Sequence, residues 1–511
     1  MTSVALPVRS RRASWLWNRS LEHYPDDATQ YASLAIVVAA TVLLFYQLYL
    51  AGGVATSILR DLHMSFVYYV NVSVIGYVLG AFAAVFAGMA DRYGRANIVV
   101  AGLGLTGLLC LVALPNVHNS LAFAVVFIAI GFIEGVILVA TPALVRDFSP
   151  QLGRASAMGF WTLGPVLGSL VVSVAVSSAS ATSSWQHQYQ IAGIIGLAVF
   201  AIALFFLREL SPALRDQLMV SSRDRVLIEA RAKCLDVEQT LRHPWAQVLR
   251  ADIILPAVAI STFLIIYYLA VGFFPVFFQT VFGYSQSQAN SLGNWFWSFD
   301  AAALIILGIL SDRIRVRKPF MALGGLLAIV VTTIFTVDVV HHNTSYGTFR
   351  LLMVGIAVSL ATAFAPWMAS FTETIERHNP ALMARGLAVW GWIVRIFIAV
   401  TIFFVPHFVT TVTPLVENGP AVKAILADPT PVGSTTVGKV ATAAAANPVV
   451  IAKLTTITSR DHALISALQA NPEIAKALAA AQASGAKPTP TQLAAVKAAL
   501  GAAAFAQLLE P

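Results

Sequence analysis

The chain is built from long apolar runs separated by short polar connections. Eleven of these runs are long enough to form a helix across a membrane, which requires about 20 largely apolar residues. They cover residues 31–53, 67–90, 97–116, 121–144, 156–178, 189–207, 252–279, 288–310, 320–338, 349–372 and 386–408. The pattern therefore predicts an all-α integral membrane protein, and these runs are numbered here as spans 1 to 11.

The composition supports this prediction. Of 511 residues, 58% are hydrophobic and 11% are charged, whereas soluble domains carry about 25% charged residues. A soluble enzyme is therefore excluded, and the 30 Phe and 10 Trp exclude a disordered chain. The net charge of +8 does not indicate nucleic acid as a partner, because Lys and Arg in a membrane protein accumulate in the connections on the cytoplasmic side of the bilayer.

The positively charged residues lie in alternate connections. Twenty-two Lys and Arg occur in the N-terminal segment and after spans 2, 4, 6, 8 and 10, whereas the other connections between spans hold only Arg60 and Arg350. Because such residues remain on the cytoplasmic side, the N-terminus is predicted to be cytoplasmic. No signal peptide is expected. The expected location is the plasma (inner) membrane, with many spans and an extracytoplasmic C-terminus.

The chain divides into five predicted parts. These are a cytoplasmic N-terminal segment (1–30), a six-helix bundle (31–207), a cytoplasmic linker (208–251), a second bundle with five clear spans (252–408) and an extracytoplasmic tail (409–511). In residues 420–511, 27 of 92 are Ala, which predicts a partly helical tail with a weak core. A weak twelfth span over 493–509 is interrupted by Lys497.

Two short sequence patterns occur once in each bundle. After span 2 the chain reads Ala87-Gly88-Met89-Ala90-Asp91-Arg92-Tyr93-Gly94-Arg95, and after span 8 it reads Gly308-Ile309-Leu310-Ser311-Asp312-Arg313. The second pattern places Arg154, Ala157 and Trp161 at a constant offset of 231 from Arg385, Ala388 and Trp392. Two parallel halves explain both repeats.

These residues resemble the signature of the major facilitator superfamily, Gly-x-Leu-Ala-Asp-Arg-x-Gly-Arg between helices 2 and 3, which has a weaker copy between helices 8 and 9. The resemblance covers residues 31–408 and implies two pseudo-symmetric six-helix bundles. The chain departs from the signature at Ala87, which replaces the first Gly. In the second copy, Arg315 and Val316 stand where Gly and Arg are expected.

The resemblance also implies a gate. In the superfamily the signature Asp faces the start of helix 11 and the last Arg pairs with an acid at the end of helix 4. Asp91 and Arg95 are expected to have these roles, with Asp147 as the partner of Arg95. The predicted gating residues are Asp91, Arg92, Gly94, Arg95, Asp147, Gly308, Asp312 and Arg313. The alternative is that the loop arginines only determine the topology.

Three ionisable residues occur near the middle of spans, at Glu134, Asp300 and Arg395. Each is costly facing lipid, so a transport pathway is the expected location. Arg395 is predicted to bind an anionic substrate group or a carboxylate, and Glu134 or Asp300 to carry a proton. A purely structural pair of Asp300 with Arg395 is the alternative. The amides of Gln47 and Asn294 are further pathway candidates.

Span 5 contains Gly164-Pro165 and Gly168. This spacing is similar to a helix-5 pattern of drug and proton antiporters in the superfamily. Pro165 is predicted to bend the helix, while the glycines allow a neighbouring helix to approach closely. Packing without any bearing on the direction of transport is the alternative explanation.

Other chemistry is not expected. Gly102, Gly104 and Gly107 match a dinucleotide fingerprint, but they lie inside apolar span 3 without the required strand and acid. Gly433 to Lys439 resembles a phosphate loop, but Val440 replaces the Ser or Thr that binds Mg²⁺. The sequence therefore predicts no ATP site, no cofactor, no metal site and no enzymatic activity.

The predicted function is secondary active transport of a small organic solute by alternating access. An organic acid or similar polar metabolite, coupled to protons, is the favoured substrate class. The expected partners are this solute, protons and the lipid bilayer, with no nucleic acid. The alternatives are an exporter that exchanges drugs for protons, and a membrane sensor or assembly protein that does not transport.

Overall fold

A computed structural model describes residues 19–82, 94–148, 161–180, 183–211, 214, 249–341, 344–378 and 383–408. The predictions for Asp91, Arg92, most of the linker, the tail 409–511 and the weak span 493–509 lie outside these residues. The chain separates into two compact units, Met1–Phe404 and Val405–Pro511. Of the second unit, only the last residues of one helix belong to the described part.

Within the described residues of the first half there are seven α-helices and one short pair of strands. In order they are β1 Ser20–Leu21, α1 Asp27–Gly53, α2 Ala55–Asp61, α3 Phe66–Phe82, α4 Arg95–Leu108, α5 Ser120–Phe148, α6 Gly164–Ser178, α7 Trp185–Phe206 and β2 Glu209–Leu210. Helix α4 continues through a π-helical turn, Leu109–Ala113, and a 3-10 turn, Leu114–Asn116. Strands β1 and β2 pair in parallel.

Seven further helices lie in the described part of the second half. They are α8 Ala251–Phe263, α9 Ile265–Gly272, α10 Phe274–Val281, α11 Gln286–Ile314, α12 Lys318–Val339, α13 Tyr346–His378 and α14 Met383–Phe408. Helix α11 begins with a capping box, in which the Ser285 hydroxyl accepts from the Gln288 amide and the Gln288 side chain accepts from Ser285 N. Such a box satisfies two backbone donors at the helix start.

The prediction of an all-helical membrane architecture is confirmed. Within the described residues, nine helices are long and apolar enough to cross a membrane. Helices α2 and α3 meet the same criteria only together and are bent by 119°, and α6 is apolar but has only 15 residues. Helices therefore occur in all eleven apolar runs, and the count of eleven crossings stays a prediction.

Helix α6 contacts α1 through its glycines. A Cβ atom at Gly168 would lie 2.5 Å from Phe45 Cβ and 3.1 Å from Tyr46 N, and one at Gly164 would lie 2.6 Å from Thr41 Cγ2. Pro165 lies in the first turn of α6, directly after a turn at Leu163. Proline is tolerated there because the first turn has free N–H groups. Of the residues predicted to form a kink, Gly164 and Pro165 thus lie directly after a one-residue break that follows helical residues 161–162, and Gly168 lies in the next turn.

The glycines of α4 also serve packing. Added Cβ atoms would lie 2.9 Å from the ring of Phe200 at Gly104, and 3.0 Å from Leu197 at Gly107, both on α7. A Cβ at Gly102 would meet Ile137 on α5 at 2.5 Å. Close helix packing therefore accounts for this Gly-rich pattern, as expected for small residues in membrane helices.

The Gly168 contact predicts a stability difference. Gly168→Ala is expected to lower the melting temperature of the detergent-purified chain, with a cost of about 1–3 kcal/mol, because backbone atoms of α1 cannot yield to the methyl group. The control is Gly325→Ala on α12, where an added Cβ meets nothing within 4 Å. That control should be neutral or stabilising, since Ala favours helix. Equal effects of the two variants would contradict the close contact between Gly168 and α1.

Candidate functional site

The two halves are hydrogen-bonded to each other where α1 and α6 end. Asn290 Nδ2 donates to Gly53 O at 3.0 Å, and Asn294 Nδ2 donates to Ser177 Oγ at 2.9 Å. We call this region the seam. It consists of Gly53, Thr56, Ser57 and Ser177 from the first half and Gln279, Gln286, Ser287, Asn290 and Asn294 from the second.

Three more bonds complete the seam. Thr56 Oγ1 donates to Gln279 Oε1 at 2.8 Å, Ser57 Oγ to Gln286 Oε1 at 2.7 Å, and Ser287 Oγ to Ser177 O at 2.5 Å. On α11 the seam residues recur once per turn, so they share one face of the helix. Asn290 is 1% exposed. Because a buried amide is costly without partners, these bonds hold this end of the two halves together.

A pocket rich in tyrosine lies between the halves next to the seam. Tyr49, Tyr69 and Tyr77 contribute from the first half and Tyr268 from the second. Ser73, Phe127, Phe273 and Ile402 complete much of the wall. Phenol rings combine an apolar face with a polar tip. The wall of this pocket, called the tyrosine pocket below, therefore presents both apolar and polar surface.

Glu134 lies behind the wall of this pocket. It is 1% exposed, and neither of its carboxylate oxygens has a hydrogen-bond partner among the described residues. Tyr49 and Tyr77 lie within electrostatic range of the carboxylate, as do Tyr189 and Cys110. An unpaired buried carboxylate is costly, and at such a place a functional role is the default explanation.

Arg395, on α14 of the second half, lies near the same pocket. Its side chain is exposed, and Tyr268 is its ionisable neighbour. Arg395 precedes Ile402 by seven residues, so both lie on one face of α14, and Ile402 lines the tyrosine pocket. The guanidinium is therefore placed next to the pocket.

The remaining pathway candidates have other surroundings. Asp300 is 3% exposed beside Tyr267, and no described ion pair joins Asp300 to Arg395. Gln47 is 1% exposed, and its Nε2 donates to Ala192 O of α7 at 3.2 Å, which links α1 and α7 inside the first half. Asn294 belongs to the seam. The structure thus brings Glu134 and Arg395 together around one pocket.

At the other end of the first half, Arg95 and Asp147 form an ion pair. Arg95 Nη1 lies 3.0 Å from Asp147 Oδ1 and 3.1 Å from Oδ2, and the two side chains are 16% and 11% exposed. Glu209, which is 6% exposed, accepts from Arg95 N at 2.7 Å. Gly94 has a φ of 96°, a conformation that favours glycine. A carboxylate at this helix N-terminus complements the helix dipole.

The second copy of the signature forms a similar arrangement with a shift of one residue. Arg315 has a φ of 58° and so takes the left-handed conformation that Gly94 has in the first copy. Arg317, not residue 316, makes the ion pairs, with Nη1 at 2.5 Å from Asp312 Oδ1 and Nη2 at 3.1 Å from Glu373 Oε1. The sequence did not lead to a prediction for Arg317 and Glu373. The signal for Arg317 was its position directly after Val316, which stands where the signature has its last Arg.

The other signature residues surround this pair. Gly308 faces Ala365 at ordinary contact distance, and Arg313 is exposed in the last turn of α11. Burial lowers the pKa of Arg317, but its hydrogen bonds to Asp312 and Glu373 dominate and raise the pKa above its ordinary value.

Across the described ranges, no three His, Cys, Asp or Glu side chains are grouped so that they could hold a metal ion.

Comparisons with known proteins agree with this architecture. Residues 37–400 match the family model of the Major Facilitator Superfamily. The fold is similar to that of a bacterial homologue of the human lysosomal transporter Spinster, with a TM-score of 0.58, 15% identity, and coverage of 74% of this chain and 82% of that chain. It is also similar to a D-xylose–proton symporter, with a TM-score of 0.57, 14% identity, and coverage of 77% and 96%.

A curated relative matches over a shorter stretch. The chain is 28% identical over 193 residues to the MFS-type transporter MFS19 of Alternaria alternata. This match spans 34% of this chain and 38% of that protein.

The Arg95–Asp147 pair predicts a coupled loss of stability. Arg95→Gln and Asp147→Asn are each expected to cost about 1–3 kcal/mol, because each leaves a poorly solvated charge without its partner. The double variant should cost less than the sum of the two. The control Arg60→Gln breaks a pair at a side chain that is 64% exposed and should change stability by less than about 0.5 kcal/mol. Thermal melts of the purified chain measure these effects, and strict additivity would contradict the coupling.

Proposed function

Because the chain belongs to the Major Facilitator Superfamily, a family of membrane transporters, we propose that it moves a small organic anion by alternating access, coupled to protons. The observation that carries this proposal is a pocket between the halves whose tyrosines have two charged neighbours. Arg395 lies near Tyr268, and Glu134, a buried carboxylate without a hydrogen-bond partner among the described residues, lies near Tyr49 and Tyr77. The substrate class, the coupling ion and the roles of individual residues are all part of the proposal.

The distribution of contacts supports alternating access. At the seam, side chains of one half bond to the other half. At the opposite end, the described ion pairs join helices within one half, as in Arg95 with Asp147, Arg317 with Glu373, and His378 with Asp252. One end of the pathway is therefore closed by hydrogen bonds that must break if the halves rock. The signature pairs are proposed to gate the other end.

An organic anion suits the tyrosine pocket. Arg395 offers a permanent positive charge with donors arranged for a carboxylate or phosphate. The phenols of Tyr49, Tyr69 and Tyr268 add polar tips on apolar rings. A solute with one anionic group and an apolar or ring-shaped body matches these surroundings better than a fully hydroxylated neutral molecule.

Proton coupling is proposed to use Glu134. In a buried site without a hydrogen-bond partner, the neutral form of a carboxyl group is favoured. Opening the pocket to water would favour release of the proton. Glu134 belongs to the first half and Arg395 to the second. A movement of one half against the other can therefore link proton release to anion binding.

The proposed orientation of the molecule in the membrane follows from the Lys and Arg residues of its connections. The Lys and Arg of the connections place the end with Arg95 and Arg317 in the cytoplasm. The seam is then extracytoplasmic, and we propose that the pocket opens toward the cytoplasm in this conformation. The plasma (inner) membrane is the proposed location.

Loss of one seam bond should shift the conformational equilibrium. Asn290→Ala removes a bond worth about 0.5–1.5 kcal/mol, so the population with an open seam should rise about two- to tenfold. A cysteine introduced at Ser173, which is 5% exposed, reports this opening when Cys110 and Cys234 are replaced by Ser. Its labelling by a membrane-impermeant thiol reagent should accelerate. The control Ser178→Ala removes a hydroxyl that bonds only within α6 among the described contacts, and labelling should not change.

Transport in proteoliposomes tests the substrate and the proton. With a panel of labelled organic acids, Arg395→Gln should reduce uptake at least about tenfold, since a charge-assisted bond is lost. Arg350→Gln, which removes a guanidinium 5.0 Å from the Trp295 ring, serves as the control. Glu134→Gln should retain exchange of solute but lose accumulation driven by a pH gradient. Wild-type uptake by Arg395→Gln would overturn the substrate role.

The transport assay, together with a binding measurement, separates the two alternative functions, which are an exporter of toxic compounds and a membrane sensor. Competition by lipophilic cations or dyes, with no effect of organic acids, would favour an exporter of toxic compounds. Ligand binding without any movement of solute would favour a sensor. Binding is measured by the rise in melting temperature, because a ligand of the folded state adds stability as RT ln(1 + [L]/Kd).

A further inference from the structure

A short segment before α1 is attached to the end of α7. Strand β1 pairs with β2, with Glu209 N donating to Arg19 O at 3.1 Å and Ser211 N donating to Leu21 O at 2.9 Å. These residues are about 190 positions apart in sequence. The pairing therefore connects the N-terminal segment to the start of the linker between the halves.

Arg19 provides the strongest part of this attachment. It is 2% exposed, and its Nη1 donates to Ala203 O at 3.3 Å, Leu204 O at 2.6 Å and Leu207 O at 3.1 Å. The last carbonyls of a helix have no partner within the helix, and they carry the negative end of its dipole. A buried guanidinium at this point is thus held by charge and by hydrogen bonds together.

The attachment has a consequence at Glu209, three residues after the end of α7. Glu209 lies in β2, directly opposite Ser20, and its carboxylate reaches the start of α4, where it accepts from Arg95 N at 2.7 Å. Arg95 in turn holds Asp147 on α5. A continuous series of contacts therefore runs from Arg19 through β2 and Glu209 to the Arg95–Asp147 pair.

We infer that Arg19 is a positioning residue for the Arg95–Asp147 pair, acting through β2 and Glu209. When Arg19 is bound to the end of α7, β2 is held in place and Glu209 is directed at the start of α4. When Arg19 is lost, Glu209 moves away from Arg95, and the pair is less well ordered. The N-terminal segment thus sets the geometry of a gate that lies in other helices. Only the effect on transport rests on the proposed function.

Hydrogen exchange of the purified full chain tests the inference without any need for a substrate. The Arg95 amide bonds to Glu209, so its exchange rate reports directly on the position of that carboxylate. Arg19→Gln should accelerate exchange about tenfold or more at Glu209, Ser211 and Arg95. Arg19→Lys keeps the charge and should give a smaller increase. The control Arg250→Gln changes an exposed pair and should leave all three amides unchanged.

Two further outcomes decide whether Arg19 acts on the Arg95–Asp147 pair through Glu209. If Arg19→Gln accelerates exchange at Glu209 and Ser211 but not at Arg95, the attachment is local and the inference is overturned. In a cycle with Glu209→Gln, the exchange of Arg95 should be no faster in the double variant than in Glu209→Gln alone, and additive effects would also overturn it. If Arg19→Gln does not fold, the comparison of Arg19→Lys with Arg250→Gln replaces it.

Transport is measured last and separately. If exchange at Arg95 depends on Arg19 and the wild-type chain also transports organic anions, Arg19→Gln should lower the maximal rate more than it changes KM. If exchange depends on Arg19 but no variant transports any tested solute, the positioning role stands and the proposed function fails.

Discussion

The bond from Asn290 to the Gly53 carbonyl joins the two halves at a place that water does not reach, and the conformation of the protein depends on it. Helix α1 has its last carbonyls there, and they need partners because unpaired backbone groups are costly when buried. The amide of a helix in the other half supplies one. The same bond that satisfies α1 also joins it to α11 of the other half, so in the proposed opening of the pathway both groups would have to be solvated at once.

Helix α1 links this closure to the opposite end of the protein. It begins after β1 and ends at Gly53, and its 27 residues span about 40 Å at 1.5 Å per residue. The attachment of Arg19 and the seam therefore lie at opposite ends of one rigid element. Between them, α1 contributes Tyr49 to the tyrosine pocket. Helix α1 therefore contributes both to the seam and to the pocket, and its first residue follows strand β1 by a short connection.

The two signature copies show how the same geometry is reached by different residues. In the first half, Gly94 turns the chain and Arg95 pairs with Asp147; in the second half, Arg315 turns it and Arg317 pairs with Glu373. A left-handed arginine is strained where glycine is not. The bonds of Arg317 to Asp312 and Glu373 offset this cost. A guanidinium on a long side chain can reach a neighbouring helix from either register.

The sequence alone determined the class of the protein, because the length and polarity of the apolar runs follow from the thickness of the bilayer, and the repeated Asp-Arg pattern indicated two halves. It also predicted Glu134 and Arg395 as pathway residues, because charges are rare inside membrane helices, and the resemblance to the superfamily signature predicted that Arg95 pairs with Asp147. Only the tertiary structure decided that Glu134 and Arg395 both lie near residues of one pocket, that Arg317 replaces the expected residue, and that Arg19 reaches the end of α7. These contacts join residues far apart in the chain. Their geometry is set by helix packing, which no local pattern records.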